Sequence, residues 1–170
     1  MRVAFLVEQL LAPVPGGTGR YSAELGAALV RTATAGDEVT GWAAWHRAVG
    51  PAVVAGVRGP RRLPLPRRAL TLAWERGLGP APRDADLVHA PTPLFPPPRH
   101  RPLVVTIHDT VPWTHPDTLT PRGAVWHRAM AERAALHADA AFCDGMLGVH
   151  RHLIVGLVVV FDAEQLARRG

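Results

Sequence analysis

Apolar positions along this chain fall into short unbroken runs and into stripes of helical period, and the two kinds of pattern take turns. Val3, Ala4, Phe5, Leu6 and Val7 form a continuous apolar run, as expected of a parallel strand buried on both faces, and predict a first strand over Arg2 to Val7. Pro13, Pro15, Gly16, Gly17 and Gly19 then break regular structure, with Thr18 as the candidate helix cap. Behind them Tyr21, Leu25, Ala28 and Leu29 recur at helical spacing. After a turn at Ala35-Gly36-Asp37, Glu38 to Trp45 reads as a second strand and Ala52 to Val57 as a weak third. Gly59 to Arg68 (GPRRLPLPRR) reads as a proline- and arginine-rich connection, and Ala69 to Leu78 as a short helix carrying Trp74. A fourth strand is expected at Asp86 to Ala90 and a fifth at Leu103 to Ile107, separated by a proline-rich loop from Pro91 to Pro102. A loop with Pro112, Pro116 and Pro121 leads into a helix over Arg122 to Ala138, with Trp126, Met130, Ala134 and His137 on one stripe. Pro121 suits its first turn, and Ala140 to Cys143 reads as a sixth strand.

Strands alternating with helices imply parallel βαβ units, and so an α/β Rossmann-like fold with a doubly wound, mostly parallel sheet. Ligands of such sheets bind beyond the carboxyl ends of the strands. Three features collect at that edge: the Gly16–Gly19 loop, the segment from His89 to Thr92, and the pair His108-Asp109. A strand, a glycine loop and a helix N-terminus together form a natural anion site, because free N–H groups and the helix dipole both favour phosphate. Arg20 stands beside that loop as a contact for an anionic group or as a solvated helix arginine.

Composition narrows the chemistry. A chain of 170 residues with 48% hydrophobic residues suits one domain with a real core. The net charge is +5 and the isoelectric point about 11.1, yet lysine is absent and all 19 basic side chains of the Lys/Arg type are arginine. Any phosphate or carboxylate clamp must then be an arginine fork or a backbone nest, and a lysine-dependent Walker A loop is excluded. A dinucleotide fingerprint fits poorly, since Gly17 and Gly19 lack a third glycine at the required spacing and the second strand lacks a terminal acid. Cys143 is the sole cysteine, which forms no internal disulfide and fits a reducing cytosol. Glu8 interrupts the N-terminal apolar run, making a poor signal peptide, and Leu153 to Phe161 is far shorter than a spanning helix requires.

His108-Asp109 has three readings: a histidine presented to substrate, a metal site with His115, or an aspartate capping a loop after a strand. No second cluster has metal-ligand spacing, so no metal is expected. His89 at the neighbouring strand end reads as a cleft residue or as a buried core histidine. Arg58, Arg61, Arg62, Arg67 and Arg68 form a patch with no carboxylate between Glu38 and Glu75. It reads as a solvated loop or as a contact for anionic lipid headgroups. No helix-turn-helix, zinc or aromatic-sheet motif accompanies it, so nucleic acid is not an expected partner.

Three stretches taken together, PGGTGRYSAEL after the first strand, DLVHAPTPLFPP, and VVTIHDTVPWTHPD, resemble the N-terminal domain of the retaining GT-B glycosyltransferases of family 4. The resemblance spans Met1 to Asp139. It implies two Rossmann-like domains facing a cleft, the N-terminal one holding a glycan or lipid-linked acceptor and the C-terminal one a nucleotide-sugar donor, with no bound metal or other cofactor. It further implies that Gly16, Gly17 and Gly19 line the cleft near the donor diphosphate, and that Arg20 and Tyr21 open the helix behind them. His108 then contacts the transferred sugar or aligns the acceptor hydroxyl, and Asp109 supports the turn. No carboxylate nucleophile is implied, because the leaving phosphate assists acceptor deprotonation. From about Asp144 the chain departs from the family pattern. The expectation is therefore one acceptor-side domain over residues 1–143 and an atypical tail over residues 144–170, with Leu153 to Phe161 as a final strand before a short helix. On that expectation the donor-binding domain is absent, and transfer is weak or lost unless a partner chain supplies it. The expected location is the cytoplasm, with peripheral contact at the inner membrane face through the arginine patch. A non-catalytic module that binds anionic membrane or polymer is the competing reading.

Overall fold

The computed structural model describes residues 1–143. Its elements, in order, are β1 (Arg2–Leu6), α1 (Gly16–Thr32), β2 (Glu38–Trp45), β3 (Arg58–Pro66), α2 (Arg67–Glu75), β4 (Leu87–Ala90), β5 (Leu103–Ile107), α3 (Val111–Thr114), α4 (Pro121–His137) and β6 (Ala140–Cys143). Among the described residues the strands form one six-stranded sheet in the order β3-β2-β1-β4-β5-β6, with every pair parallel. The chain winds outward from β1 to β3, crosses back to place β4 beside β1, and winds outward again. That reversal between β1 and β4 is the switch point at which a doubly wound sheet opens a crevice.

The unbroken apolar run of β1 has a direct cause. Val3, Phe5 and Val7 face α1, where Leu25, Leu29 and Val30 pack against them. Ala4 and Leu6 face the opposite layer, with Leu70 and Trp74 of α2 and with Met130 and Ala134 of α4. Gly26 lets α1 lie close to the sheet, because a Cβ there would sit 3.0 Å from Cε1 of Phe5. Thr120 caps α4 by accepting the Gly123 N–H at 3.1 Å, and Pro121 occupies the first turn.

Several expectations are corrected. The glycines do not form a loop ahead of the first helix; they are its first turn. Pro15 holds the N-cap position with no side-chain cap, so Thr18 is not the cap. Glycine is tolerated there because most N–H groups of a first turn have no intrahelical partner to lose. Gly19 is required by close packing, since a Cβ at that position would lie 2.4 Å from Cβ of Pro15.

The third strand is also misplaced. Ala52 to Val57 is not a strand: a 3₁₀ turn at Gly50–Ala52 is followed by irregular chain whose Ala52, Val54 and Val57 fill the α1-side core. The strand is instead Arg58–Pro66, within the stretch read as a connection. Its three prolines are tolerated because β3 is an edge strand whose pairing with β2 is interrupted by two register shifts. Leu63 anchors it in the core. α2 starts at Arg67 and ends at Glu75, where Gly77 at φ +68° turns the chain and its N–H bonds the Trp74 carbonyl. The loop before α4 holds α3 and a 3₁₀ turn at Pro116–Thr118. β2, β5 and β6 keep their expected bounds, while the tail over residues 144–170 and its expected strand lie outside the described residues.

Candidate functional site

A cleft of about 400 Å³ opens at the carboxyl edge of the sheet, on the side covered by α2 and α4. The ends of three strands feed it. Leu6 ends β1 and Glu8 lies just beyond it, Thr92, Pro93 and Leu94 follow β4, and Ile107 ends β5 with His108 and Asp109 directly after it. Thr18 of α1, Arg67 and Trp74 of α2, Trp113 of α3, and Trp126 and His127 of α4 complete the wall.

His108 joins three of these elements. Its Nε2 lies 2.8 Å from the Pro91 carbonyl oxygen, and its ring stands edge-on to Tyr21 of α1 with centroids 4.8 Å apart. A carbonyl only accepts, so Nε2 donates to it, and in the neutral ring Nδ1 keeps the lone pair. The ring is thus held by β4 and α1 while its second nitrogen remains an acceptor. Asp109 accepts the Val111 N–H at 3.0 Å, an Asx turn that starts α3 and so sets the place of Trp113.

Glu8 is the carboxylate at the end of β1. One oxygen accepts the Ala44 N–H at 2.8 Å; the other lies 2.9 Å from Nε2 of His46 and 3.5 Å from Nε of Arg67. The group is buried but fully engaged, which is how a carboxylate survives in a cleft wall. Burial lowers the pKa of His127, against the opposing pull of the Asp109 charge. Among the described residues, no group of three or more His, Cys, Asp or Glu side chains is placed to hold a metal ion.

The expected site residues separate into two groups. His108, Asp109 and Tyr21 come together as described. Gly16, Gly17, Gly19 and Arg20 do not line the cleft; from their turn only Thr18 does. His89 is not on the cleft wall either. Alternation along β4 sends Val88 into the layer of α2 and α4 and His89 to the opposite face, where its ring meets Phe5 edge-on at 5.6 Å. Its Nε2 is buried without a hydrogen-bond partner, as is Oγ1 of Thr106, and burial pushes the His89 pKa down to about 4.

The arginine patch is also divided. Arg67 faces the cleft, Arg58 pairs with Glu38 at 2.7 Å, and Arg61 lies over the Trp42 ring at 5.6 Å. Arg62 and Arg68 are exposed. The patch is therefore strand and helix rather than solvated loop, and partners distant in sequence neutralise part of it. Glu8, Arg67, Trp113, Trp126 and His127 line the cleft but were not legible as cleft residues. Only Glu8 carried a local signal, an acid directly beyond an apolar strand at its carboxyl end.

The model of Glycosyltransferase Family 4 matches residues 15–144, more than half of the chain. No curated protein and no solved structure matches it. The chain belongs to Glycosyltransferase Family 4.

Proposed function

We propose that this Glycosyltransferase Family 4 domain seats the acceptor of a retaining sugar transfer in the cleft at the carboxyl edge of its sheet. A nucleotide-sugar donor then reaches the same edge from a donor-binding domain. The observation that carries this reading is the 2.8 Å contact of His108 Nε2 with the Pro91 carbonyl: it commits Nε2–H and, in the neutral ring, leaves Nδ1 to accept a hydrogen bond from a sugar hydroxyl. Tyr21 and Pro91 fix the ring, so the hydroxyl is met by a preorganised partner.

The work of these residues is orientation. The resemblance to retaining family members assigns acceptor deprotonation to the leaving phosphate, so no general base is asked of this domain. Arg67, held beside the engaged Glu8 carboxylate, offers a charged hydrogen-bond donor to the cleft, and Trp113 and Trp126 offer apolar faces against which a sugar ring can lie. Asp109 acts through α3, as a positioning residue for Trp113.

The exposed Arg62 and Arg68 support a subordinate proposal, peripheral contact with anionic lipid, as part of the same protein's placement at the inner membrane face. Among the described residues no helix is long and apolar enough to cross a membrane. Transfer measured with the donor-binding domain present tests the main reading. His108→Ala should abolish most turnover with the fold intact, whereas Arg62→Ala with Arg68→Ala should spare turnover in solution. Full turnover in His108→Ala would reject the assignment.

A further inference from the structure

The charged groups of the cleft are unequally engaged. Both carboxylates are held by the backbone: Glu8 accepts the Ala44 N–H at 2.8 Å, and Asp109 accepts the Val111 N–H at 3.0 Å. The second Glu8 oxygen lies 2.9 Å from Nε2 of His46. Arg67 is the one arginine on the cleft wall and, lysine being absent from the chain, its one permanent cation. Glu8 meets it at Nε, 3.5 Å away, which leaves the end-on edge of the guanidinium, Nη1 and Nη2, open. Among the described residues the Arg67 side chain has no other ion pair or hydrogen bond, and it is 38% exposed. Thr71, one helical turn along α2, lines the same wall, and its hydroxyl has no partner among the described residues.

A neutral sugar closed over this guanidinium would strip its water and return weak hydrogen bonds, whereas an oxyanion returns two parallel charge-assisted ones. Phosphate suits the wall better than carboxylate, because two of its oxygens fill the fork and a third is left for a hydroxyl donor beside it. On the β5 side of the cleft, Nδ1 of His108 is open to a hydroxyl. Resting on the acceptor-site reading above, we infer that the acceptor is a phosphorylated sugar or polyol, with a hydroxyl on Nδ1 of His108 and its phosphate ester on Arg67 and Thr71. Glu8 then acts as a positioning residue, holding Arg67 at Nε so that its end-on edge meets the phosphate.

The test uses the full chain, with glucose, galactose and mannose and their 6-phosphates as probes and affinity read by calorimetry. A 6-phosphate should bind about ten- to a hundredfold more tightly than the matching hexose. Arg67→Gln should remove most of that gain with a melting temperature close to that of the unmutated chain. Arg67→Lys should keep only part of it, because an ammonium has no fork. His108→Ala should weaken a hexose and its 6-phosphate by a similar factor. Equal affinity for hexoses and their 6-phosphates, both weakened by His108→Ala, would overturn the phosphate inference and leave the acceptor-site reading standing. Failure of every hexose and every 6-phosphate to bind would overturn both. Inorganic phosphate or uridine diphosphate that binds as tightly as the 6-phosphates, through Arg67 and without dependence on His108, would give the fork to a free anion or to the donor's diphosphate and overturn the inference.

Discussion

Acidification from pH 7 to pH 4 should destabilise this domain through the buried side chain of His89. Its imidazole is buried against Phe5, its Nε2 has no hydrogen-bond partner, and burial pushes its pKa down to about 4. In the unfolded chain the same ring takes its proton near the ordinary value of about 6.5. Between those two pH values the unfolded state holds the extra proton, so stability rises with pH across the window. The stability is intact above about pH 6.5 and is lost progressively towards pH 4. A fall from 6.5 to about 4 is worth about 3 kcal/mol at the acid end. His89→Leu removes both the titration and the orphaned nitrogen. At pH 7 the loss of the edge-on contact with Phe5, about 1 kcal/mol, opposes relief of the unpaired nitrogen, about 1–3 kcal/mol. The decisive quantity is therefore the slope. Urea unfolding followed by circular dichroism at pH 7, 6, 5 and 4 should show the variant gaining on the parent by about 3 kcal/mol across the series. Titrations common to both proteins cancel in the difference. Parallel stabilities at all four pH values would refute the reasoning, and would mean that the ring reaches solvent or a partner.

Gly19→Ala should lower stability by about 1–3 kcal/mol in thermal or urea unfolding, because the new Cβ meets the Pro15 ring 2.4 Å away and the first turn must shift. The shift should also weaken acceptor binding, since Thr18 lines the cleft and Tyr21 holds His108. Glu8→Ala strands the buried Ala44 N–H and should cost about 1–3 kcal/mol, while Glu8→Gln keeps an acceptor for it and should cost clearly less in the same assay.

The central strands were legible because nothing in them competes with the apolar signal. LVVTI of β5 and EVTGWAAW of β2 hold no proline and bury almost every residue, so pattern and structure coincide. β3 was illegible for the opposite reason. Prolines and arginines mark a linker when the strand's place in the sheet is unknown, yet an edge strand accepts both. Ala52 to Val57 misled because apolar residues that fill a core from irregular chain look the same as those of a weak strand. The glycines misled because their composition argues for a loop, whereas a helix's first turn has little to lose from them.

The site divides along the same line. His108-Asp109 was visible as a polar pair ending an apolar strand. For His89 the alternation along β4 was visible too, but a strand buried on both faces does not say which face borders the cleft. Glu8 gathers its partners from Ala44, His46 and Arg67, all remote in sequence, so its role exists only once β1, β2 and α2 are side by side.

The central claim is that His108, held as the Nε2–H tautomer by Pro91, offers Nδ1 to the acceptor. Its most direct test is nitrogen-15 NMR of the histidine rings during titration with octyl glycosides of glucose, galactose and mannose as acceptor analogues. The account predicts that His108 begins as the Nε2–H tautomer, and that its Nδ1 resonance moves towards the hydrogen-bonded range on saturation while the buried His89 ring stays unchanged. A His108 ring protonated at Nδ1 in the free protein, or an Nδ1 resonance unmoved by a saturating acceptor, would contradict it.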